Sequence, residues 1–375
     1  MDWQPHATGL AERVTHRTSR WRAPVARTPR HVLVPRWWER AADGWAVRDG
    51  AAEPDRWLGA AYSDKTLVTR VGALHADRAA DDDRPTGRPT SSSTLPGLDI
   101  LMFQHARIGD DDTLGHIGTG PGYADALACH RLGDKQVTSM DIDPYLVDAA
   151  RERLGGLGLR PTILAVDATG ELPGTFDRIV STVAVRPIPA SWLAALKPGG
   201  RLVTTISGTS LLVTADKNED GSASGRVEWD RAGFMSARRG PDYPPRLASL
   251  LAVAREHEGV AVTTGRYPVV HVMEAWDLAS MLDVTTPGIE HEFEEIEGRR
   301  TALMIHPDGS WARAAAFGAA APTVHQGGPR RLWDALDEVR DLWLATGELP
   351  LRGARVLVKP SGATYLARGN WSVRL

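Results

Sequence analysis

Three glycines at alternating positions, Gly118, Gly120 and Gly122, lie in the stretch LGHIGTGPGY, after a short apolar run and before a pattern typical of a helix. Glycines placed in this way let the backbone approach a ligand, and the amides at the start of the helix face its polar end. A carboxylate for a ribose diol is expected about 20 residues further on. Asp141 ends the next apolar run, QVTSMD, at this distance. The spacing therefore predicts a site for a nucleotide-containing cofactor.

The glycine loop differs from the one that binds dinucleotides. It has the form G-x-G-x-G and continues with Tyr123, whereas a dinucleotide site has the form G-x-G-x-x-G. A further carboxylate, Asp167 in ILAVDATGELP, stands at the tip of the following predicted strand, where it could accept a hydrogen bond from an adenine amino group. A nicotinamide-dependent enzyme and an α/β domain whose glycines only turn the chain remain as alternatives.

The elements that must position these residues alternate between strand and helix from Thr113 onward. Apolar runs such as TLGHI, QVTSMDI, TILAV and FDRIVST predict strands, and PYLVDAARERL predicts an amphipathic helix that starts at Asp143 and Pro144. This alternation predicts a doubly wound parallel sheet of the α/β class. The character of the sequence changes past RRGPDYPP, which places a domain boundary near Gly240 and leaves an α+β domain after it.

The composition of the 375-residue chain narrows the classes of partner. Its net charge of −3 and its pI near 6.5 give no reason to expect nucleic acid or an anionic membrane as a partner. No apolar run approaches the length that spans a bilayer, and the first residues lack the blocks of a signal peptide, so we expect a cytoplasmic protein. The single cysteine, Cys129, excludes an internal disulfide, and its helical surroundings indicate a buried apolar role. We predict no metal site, because no spacing of the HExxH kind occurs.

The glycine loop, Asp141, Asp167 and the turn LKPGGRLV, in this order, resemble the class I S-adenosylmethionine-dependent methyltransferases, whose product is S-adenosylhomocysteine. The resemblance implies that the glycines surround the methionine part of the cofactor, that Asp141 holds the ribose and that Asp167 lies beside the adenine. The cofactor-binding residues implied in this way are His116, Gly118, Thr119, Gly120, Gly122, Tyr123, Asp141, Ile142, Asp167 and Ala168.

His116 departs from that family, which usually has Asp or Glu two positions before the first glycine. A carboxylate there helps to orient the ammonium of the cofactor, whereas a protonated histidine would repel the sulfonium. We expect His116 either to accept a hydrogen bond as a neutral imidazole or to leave the task to another group. A histidine that is satisfied at the end of its strand, without a ligand, is the alternative.

A more specific resemblance lies outside this core. The segments WRAPVARTPRHVLVPRWW, AYSDKTLV and SSSTLPGLDILMF, in this order, resemble those of the protein-L-isoaspartate O-methyltransferases. If Pro96 is matched to the family's proline, Thr94 replaces a serine and Ser92 a threonine. By composition alone the hydroxyl run is a flexible linker, but it precedes a helix that leads into the cofactor strand, which favours a site. The residues implied are Ser93 and Thr94 for catalysis and Tyr62, Asp64, Ser91 and Ser92 for substrate binding.

About a third of the chain follows the predicted core, and this is similar to long methyltransferases that act on ribosomally made, modified peptides such as graspetides, lanthipeptides and lasso peptides. The resemblance implies a methyltransferase domain over 1–240, with a substrate-side segment 1–110 and a cofactor core 111–215. It further implies that residues 241–375 recognise a modified, macrocyclic precursor peptide. The expected reaction is methyl esterification of an aspartate side chain, which then closes to an aspartimide that can open to isoaspartate.

Two other functions stay open from the sequence, namely general repair of isoaspartate in proteins and non-catalytic peptide binding. For either methyl transfer, the acceptor carboxylate is already ionised at neutral pH, so its attack on a sulfonium methyl needs no general base. The requirement is in-line positioning of one carboxylate oxygen. Neutral hydroxyl donors would hold the other oxygen without quenching the nucleophile.

Overall fold

The structure is a computed structural model that describes residues 2–245 and 247–375. These residues form three β-sheets with helices packed around them. Within the described ranges, no helix has the length and apolar character needed to cross a membrane.

The N-terminal segment forms a small sheet that carries the hydroxyl run. Its strands have the order β2-β1-β3-β4, and β5 pairs with β3, so that Ser92 lies opposite Val68 and Ser93 opposite Leu67. The elements of this segment are α1 (Gln4–Val14), α2 (Arg22–Arg27), α3 (Arg30–Leu33), β1 (Arg36–Ala41), β2 (Gly44–Asp49), α4 (Pro54–Ala61), β3 (Leu67–Val71), β4 (Leu74–His75) and β5 (Pro89–Ser93). The hydroxyl run is therefore an edge strand of a sheet and not a free linker.

The central sheet contains the predicted doubly wound core. Its elements are α5 (Pro96–Ala106), β6 (Leu114–Ile117), α6 (Tyr123–Leu132), β7 (Val137–Asp141), α7 (Pro144–Gly156), β8 (Thr162–Ala165), β9 (Phe176–Ser181), α8 (Ala190–Ala195), β10 (Leu196–Thr205), β11 (Leu211–Lys217) and β12 (Ala223–Arg231). Strands β10-β9-β6-β7-β8 are parallel neighbours, and β11 and β12 continue the sheet as an antiparallel hairpin. The predicted doubly wound parallel sheet is present in these strands.

Local sequence signals explain where these elements begin. Leu114, Val137 and Ile179 are fully buried in neighbouring strands, as expected for parallel strands that are covered on both faces. Helix α7 begins at Pro144 because the Asp143 carboxylate accepts a hydrogen bond of 3.1 Å from the amide of Tyr145, which caps the helix. Cofactor-facing loops are thus held by strands and helix starts that the sequence specifies locally.

The region after residue 247 forms the third sheet and then adds strands to the central sheet. The third sheet has the antiparallel order β13-β17-β16-β15-β14, and strands β18, β19 and β20 extend the central sheet beyond β12. The elements are α9 (Ala248–Glu256), β13 (Ala261–Thr264), α10 (Trp276–Thr285), β14 (Glu290–Ile296), β15 (Arg299–Ile305), β16 (Trp311–Phe317), β17 (Thr323–Gly327), α11 (Leu332–Thr346), β18 (Arg355–Val358), β19 (Thr364–Arg368) and β20 (Trp371–Arg374).

Strands of the C-terminal region cross the boundary predicted near residue 240. Residues 355–374 belong to the central sheet, since Ser224 pairs with Leu357 across β12 and β18. The pairing gives hydrogen-bond partners to β12, which would otherwise be an exposed edge strand. The apolar core is also continuous, because Trp192 of α8 and Leu336 of α11 belong to the same buried cluster. The C-terminal region is an α+β unit that shares both its sheet and its core with the methyltransferase fold.

Cys129 lies on α6 and is buried among apolar residues of the core beneath the glycine loop. Burial raises the pKa of the Cys129 thiol well above its ordinary value, which disfavours the thiolate needed for nucleophilic chemistry. The predicted apolar role of this cysteine is confirmed.

Candidate active site

One cavity lies at the carboxyl ends of β6, β7, β8 and β9, between the glycine loop and the hydroxyl run. In parallel sheets of this kind, ligands bind at this edge. The cavity wall includes most of the residues predicted from the sequence, namely Ser91, Ser92, Ser93, Thr94, Gly118, Thr119, Gly120, Tyr123, Asp141, Ile142, Asp167 and Ala168. Four predicted site residues, Tyr62, Asp64, His116 and Gly122, are not part of the wall.

The glycine loop adopts a conformation that needs glycine at its first two positions. Gly118 has a φ of 101°, and a Cβ there would lie 2.7 Å from Oγ1 of Thr182. Gly120 has a φ of 51°, and a Cβ there would lie 3.1 Å from the carbonyl oxygen of Ser92. Both positions are therefore restricted by backbone conformation and by space. The second contact brings the loop and the hydroxyl run into close approach across the cavity.

Gly122 has a different role from the one predicted. A Cβ at this position would meet Leu154 at 3.3 Å and Ala150 at 3.4 Å, both on α7. Gly122 has a φ of 92° and is the last residue of the loop, directly before the first residue of α6. Gly122 thus allows close packing of two helices behind the cavity and does not face the ligand side.

Asp141 is fixed at the end of β7 by two backbone amides. Its Oδ2 accepts a hydrogen bond of 3.0 Å from Gly120, and its Oδ1 accepts one of 3.0 Å from Asp143. Burial raises the pKa of the Asp141 carboxyl, while the two amide donors oppose the shift. The carboxylate is thereby locked in one orientation at the cavity wall, with free lone pairs for the two hydroxyls of a ribose.

A second group of residues forms the end of the cavity next to β8. Oδ1 of Asp167 accepts hydrogen bonds from the amide and the hydroxyl of Thr169, at 2.9 and 2.6 Å. The indole of Trp192 lines the same part of the wall and donates a hydrogen bond of 2.6 Å to the carbonyl of Ala168. A carboxylate oxygen beside an aromatic wall suits an adenine ring with its amino group. Trp192 was not among the predicted site residues.

The hydroxyls of the run alternate between two faces of strand β5. Ser91 accepts a hydrogen bond of 3.0 Å from Thr69, and Ser93 accepts one of 3.2 Å from Arg30, and both serines are buried. The structure gives the side chains of Ser92 and Thr94 no hydrogen bond within the residues it describes, and both are partly exposed in the cavity. A strand places successive side chains on opposite faces, which explains the alternation. Ser92 and Thr94 are therefore the hydroxyls available to a ligand.

Arg30 is the residue that holds the hydroxyl run in place, and the sequence analysis did not identify it. Its side chain is fully buried. The guanidinium donates six hydrogen bonds of 2.9 to 3.2 Å, one to the Ser93 hydroxyl and the others to the carbonyls of Ala61, Ser63, Lys65, Ser93 and Thr94. Burial lowers the pKa of Arg30 from its ordinary value. The only signal in the sequence is the PRHVLVP segment that carries the resemblance.

Tyr62 and Asp64 support the site from outside the cavity. The Tyr62 hydroxyl lies 2.7 Å from Nδ1 of His31, and its ring is buried. Oδ1 of Asp64 accepts a hydrogen bond of 2.7 Å from the amide of Gly97, at the start of α5. Both residues therefore fix elements that flank the hydroxyl run. Neither side chain lines the cavity, so the structure gives no support to their predicted contact with the substrate.

His116 is buried in β6, behind the glycine loop. Its Nδ1 lies 2.7 Å from Oδ1 of Asp125, and its Nε2 lies 3.3 Å from the Thr182 hydroxyl. Burial opposes protonation of the ring, but the Asp125 carboxylate outweighs it, so that the pKa of His116 is raised. The ring does not reach the cavity wall. Of the readings left open by the sequence, this geometry matches a histidine satisfied within the strand.

The segment that follows β12 forms a further part of the cavity wall, where Ser236 pairs with Ala184 beyond the end of β9. Phe234, Met235, Arg238 and Tyr243 line this part of the wall. The Tyr243 hydroxyl donates a hydrogen bond of 2.9 Å to the carbonyl of Ser236, which folds the segment back over the site. Nothing in the local pattern of these residues indicated a site, because they lie far along the chain from the motifs. Among the described residues, no cluster of three or more His, Cys, Asp or Glu side chains could hold a metal ion.

Comparison with known proteins adds to this geometry. The model of the family Protein-L-isoaspartate(D-aspartate) O-methyltransferase matches residues 86–232. A protein-L-isoaspartate O-methyltransferase of Azorhizobium caulinodans is 39% identical over 114 residues, which are 30% of this chain and 52% of the relative. Those of Methylorubrum extorquens and Rhodopseudomonas palustris are 31% and 30% identical, over 47% and 42% of this chain and 70% and 79% of the relative. The chain spans little more than half of several of the curated relatives it matches.

A solved structure described as a protein-L-isoaspartate O-methyltransferase covers 99% of this chain and 99% of its own, with a TM-score of 0.51 and 16% sequence identity. That similarity concerns the fold, including the region after the core. The family model and the sequence relatives carry the assignment beyond the fold. The chain belongs to the protein-L-isoaspartate O-methyltransferase family.

Proposed function

We propose that the chain is an S-adenosylmethionine-dependent methyltransferase that esterifies the free α-carboxylate of an isoaspartyl residue in a protein or peptide. One observation carries the proposal. A single cavity has nucleotide-binding groups on one wall and the unengaged hydroxyls of Ser92 and Thr94 on the other, and the two walls lie so close at Gly120 that a Cβ there would lie 3.1 Å from the Ser92 carbonyl oxygen. A methyl donor and an acceptor carboxylate would meet between these walls.

The residues present fit S-adenosylmethionine. Asp141 is locked in place with lone pairs free for a diol, and Asp167 and Trp192 offer an acceptor and an aromatic surface for an adenine. The glycine loop leaves room for the methionine part of the ligand against the backbone. When bound, this cofactor supplies an electrophilic methyl group on a sulfonium centre.

The chain's own residues position the acceptor and do not remove a proton from it. An aspartyl-type carboxylate has an ordinary pKa near 4 and is ionised at neutral pH. Ser92 and Thr94 donate hydrogen bonds to one oxygen and leave the other free for in-line attack. Such positioning is worth roughly 7–11 kcal/mol when the geometry is right. Arg238 also lines the cavity, and its guanidinium lies 3.8 Å from the Asp143 carboxylate.

A dedicated modified peptide is the second candidate substrate, with closure of the methyl ester to an aspartimide as the outcome. The presence of the C-terminal region does not by itself favour a dedicated peptide substrate. The similarity to the solved structure described as a protein-L-isoaspartate O-methyltransferase extends over this region as well. What favours such a substrate is the segment 233–243, which contributes to the cavity wall and leads directly into that region. Asp283 of α10 also pairs with Arg186 at 2.6 Å, next to the cavity residue Val185. A cavity wall built partly by the segment that leads into the C-terminal region suits a substrate that this region also contacts.

Mass spectrometry on three peptides separates these functions. The purified chain is incubated with S-adenosylmethionine and a linear isoaspartyl peptide, the same sequence with ordinary aspartate, or a macrocyclic peptide with aspartate. We expect methylation of the isoaspartyl peptide alone. Net loss of one water from the macrocyclic peptide alone would instead assign the dedicated-peptide function. No turnover of any peptide, with cofactor binding retained, would indicate a binding protein.

The Ser92→Ala/Thr94→Ala variant tests the site itself. We expect turnover to fall at least a hundredfold while affinity for S-adenosylhomocysteine stays within twofold. Ser372→Ala, at an exposed position of β20, serves as the matched control and should leave both unchanged. Undiminished turnover of the double variant would refute the placement of the acceptor.

A further inference from the structure

The position of His116, where the family usually carries an acid that helps to orient the cofactor's ammonium, provides no partner for that ammonium in this chain. The ring of His116 faces Asp125 and Thr182 behind the loop and does not line the cavity. It therefore offers neither a carboxylate nor an accessible nitrogen to a ligand. A cation bound in this cavity would need an anionic group from another element.

Asp99 is such a group. It lies in the first turn of α5, lines the cavity and is only 2% exposed. Its Oδ1 is buried and has no hydrogen-bond partner among the described residues. A buried carboxylate oxygen without a partner costs free energy in the unliganded protein, so its presence calls for an explanation.

Neighbouring charges do not supply that explanation. Arg30 is buried nearby, but all six of its hydrogen bonds go to the Ser93 hydroxyl and to carbonyl groups. Within the part of the chain that the structure describes, its guanidinium has no carboxylate oxygen within 4.0 Å. His116 is already paired with Asp125 at 2.7 Å. Asp99 thus remains free for a ligand on the same side of the cavity as Tyr123.

We propose that Asp99 receives the α-ammonium of the cofactor, taking over from α5 the task that an acid at position 116 would perform from β6. The inference rests on the proposed function, because it assumes that the cavity holds S-adenosylmethionine. The anionic group would thus come from α5, the helix that follows the hydroxyl run, and not from β6. Asp99 is a binding residue in this account and takes no part in the methyl transfer.

Calorimetric binding of two ligands tests the inference without turnover. The ligands are S-adenosylhomocysteine and its analogue in which hydrogen replaces the amino group, measured at pH 8.5. Removal of the amino group should weaken binding to the unaltered chain by about tenfold or more, as expected for a hydrogen bond between charged groups. In Asp99→Asn, we expect the natural ligand to bind about tenfold more weakly and the two ligands to differ by less than threefold.

Asp64→Asn is the matched control, because Asp64 lies near the start of the same helix but outside the cavity. It should leave the tenfold preference for the amino group intact. An Asp99→Asn protein that retains the preference would overturn the inference, and so would an equal loss of affinity for both ligands, which indicates a structural role. If the unaltered chain bound neither ligand, the proposed function would fail instead.

Discussion

The buried Arg30 gives the sharpest prediction about how the site is built. Its guanidinium joins the 61–65 segment to the hydroxyl run through six hydrogen bonds. In Arg30→Lys, one ammonium with three donors replaces a planar fork, so at least three of the six acceptors, which are buried or partly buried, lose their partner. Each such loss costs about 1–3 kcal/mol. We expect the free energy of unfolding to fall by about 3 kcal/mol or more.

Urea unfolding followed by tryptophan fluorescence measures this change. Hydrogen exchange should show faster exchange over residues 89–95 in the variant, because that strand loses its anchor. Arg13→Lys is the matched control, since exposed Arg13 donates a hydrogen bond to the Tyr62 carbonyl at 2.7 Å, and it should cost less than about 1 kcal/mol. A loss below about 0.5 kcal/mol in Arg30→Lys, with unchanged exchange, would refute the assigned role of Arg30.

Two further predictions concern the cavity wall. Burial raises the pKa of Asp99 from 3.8 to about 7, while His116 and Arg30 oppose the shift, so the folded protein retains a proton that the unfolded chain has lost between these values. Stability must therefore fall as the pH rises through this window, and Asp99→Asn removes the loss. Between pH 5 and pH 8 the variant should gain about 2–3 kcal/mol relative to the unaltered chain in urea unfolding, and a constant difference would contradict the reasoning. Gly120→Ala should weaken S-adenosylhomocysteine binding at least tenfold. The control Gly199→Ala should not weaken it, because Gly199 has a φ of 71° but no atom lies within 4 Å of the added Cβ. Equal effects of the two substitutions would show that the close approach of Gly120 to Ser92 does not matter for binding.

The cofactor half of the site follows from local sequence. The glycine spacing, the strand before it and the acid after the next strand all lie within one strand-helix-strand unit, whose geometry is fixed by short-range rules. Asp141 and Asp167 could therefore be placed at one sheet edge from spacing alone. Gly122 could not be separated from Gly118 in this way, because its contact with Leu154 depends on the packing of two helices.

The remaining parts depend on contacts between distant segments. The alternation of Ser91 to Thr94 over two faces becomes visible only when β5 is known to pair with β3. Arg30 resembles any surface arginine until the carbonyls it binds are brought around it, since buried arginines are rare. The pairing of β12 with β18 has no local signal either, because strand patterns do not specify partners more than a hundred residues away.

The measurement that tests the central claim most directly is the fate of a labelled methyl group on an isoaspartyl peptide. S-adenosylmethionine labelled in its methyl group is incubated with the chain and the peptide, and the product is then treated with mild base. We predict that the label is transferred and is released as methanol, as expected of a carboxyl ester. A label that stays on the peptide in base, or transfer that persists in Ser92→Ala/Thr94→Ala, would contradict a carboxylate acceptor held by these two hydroxyls.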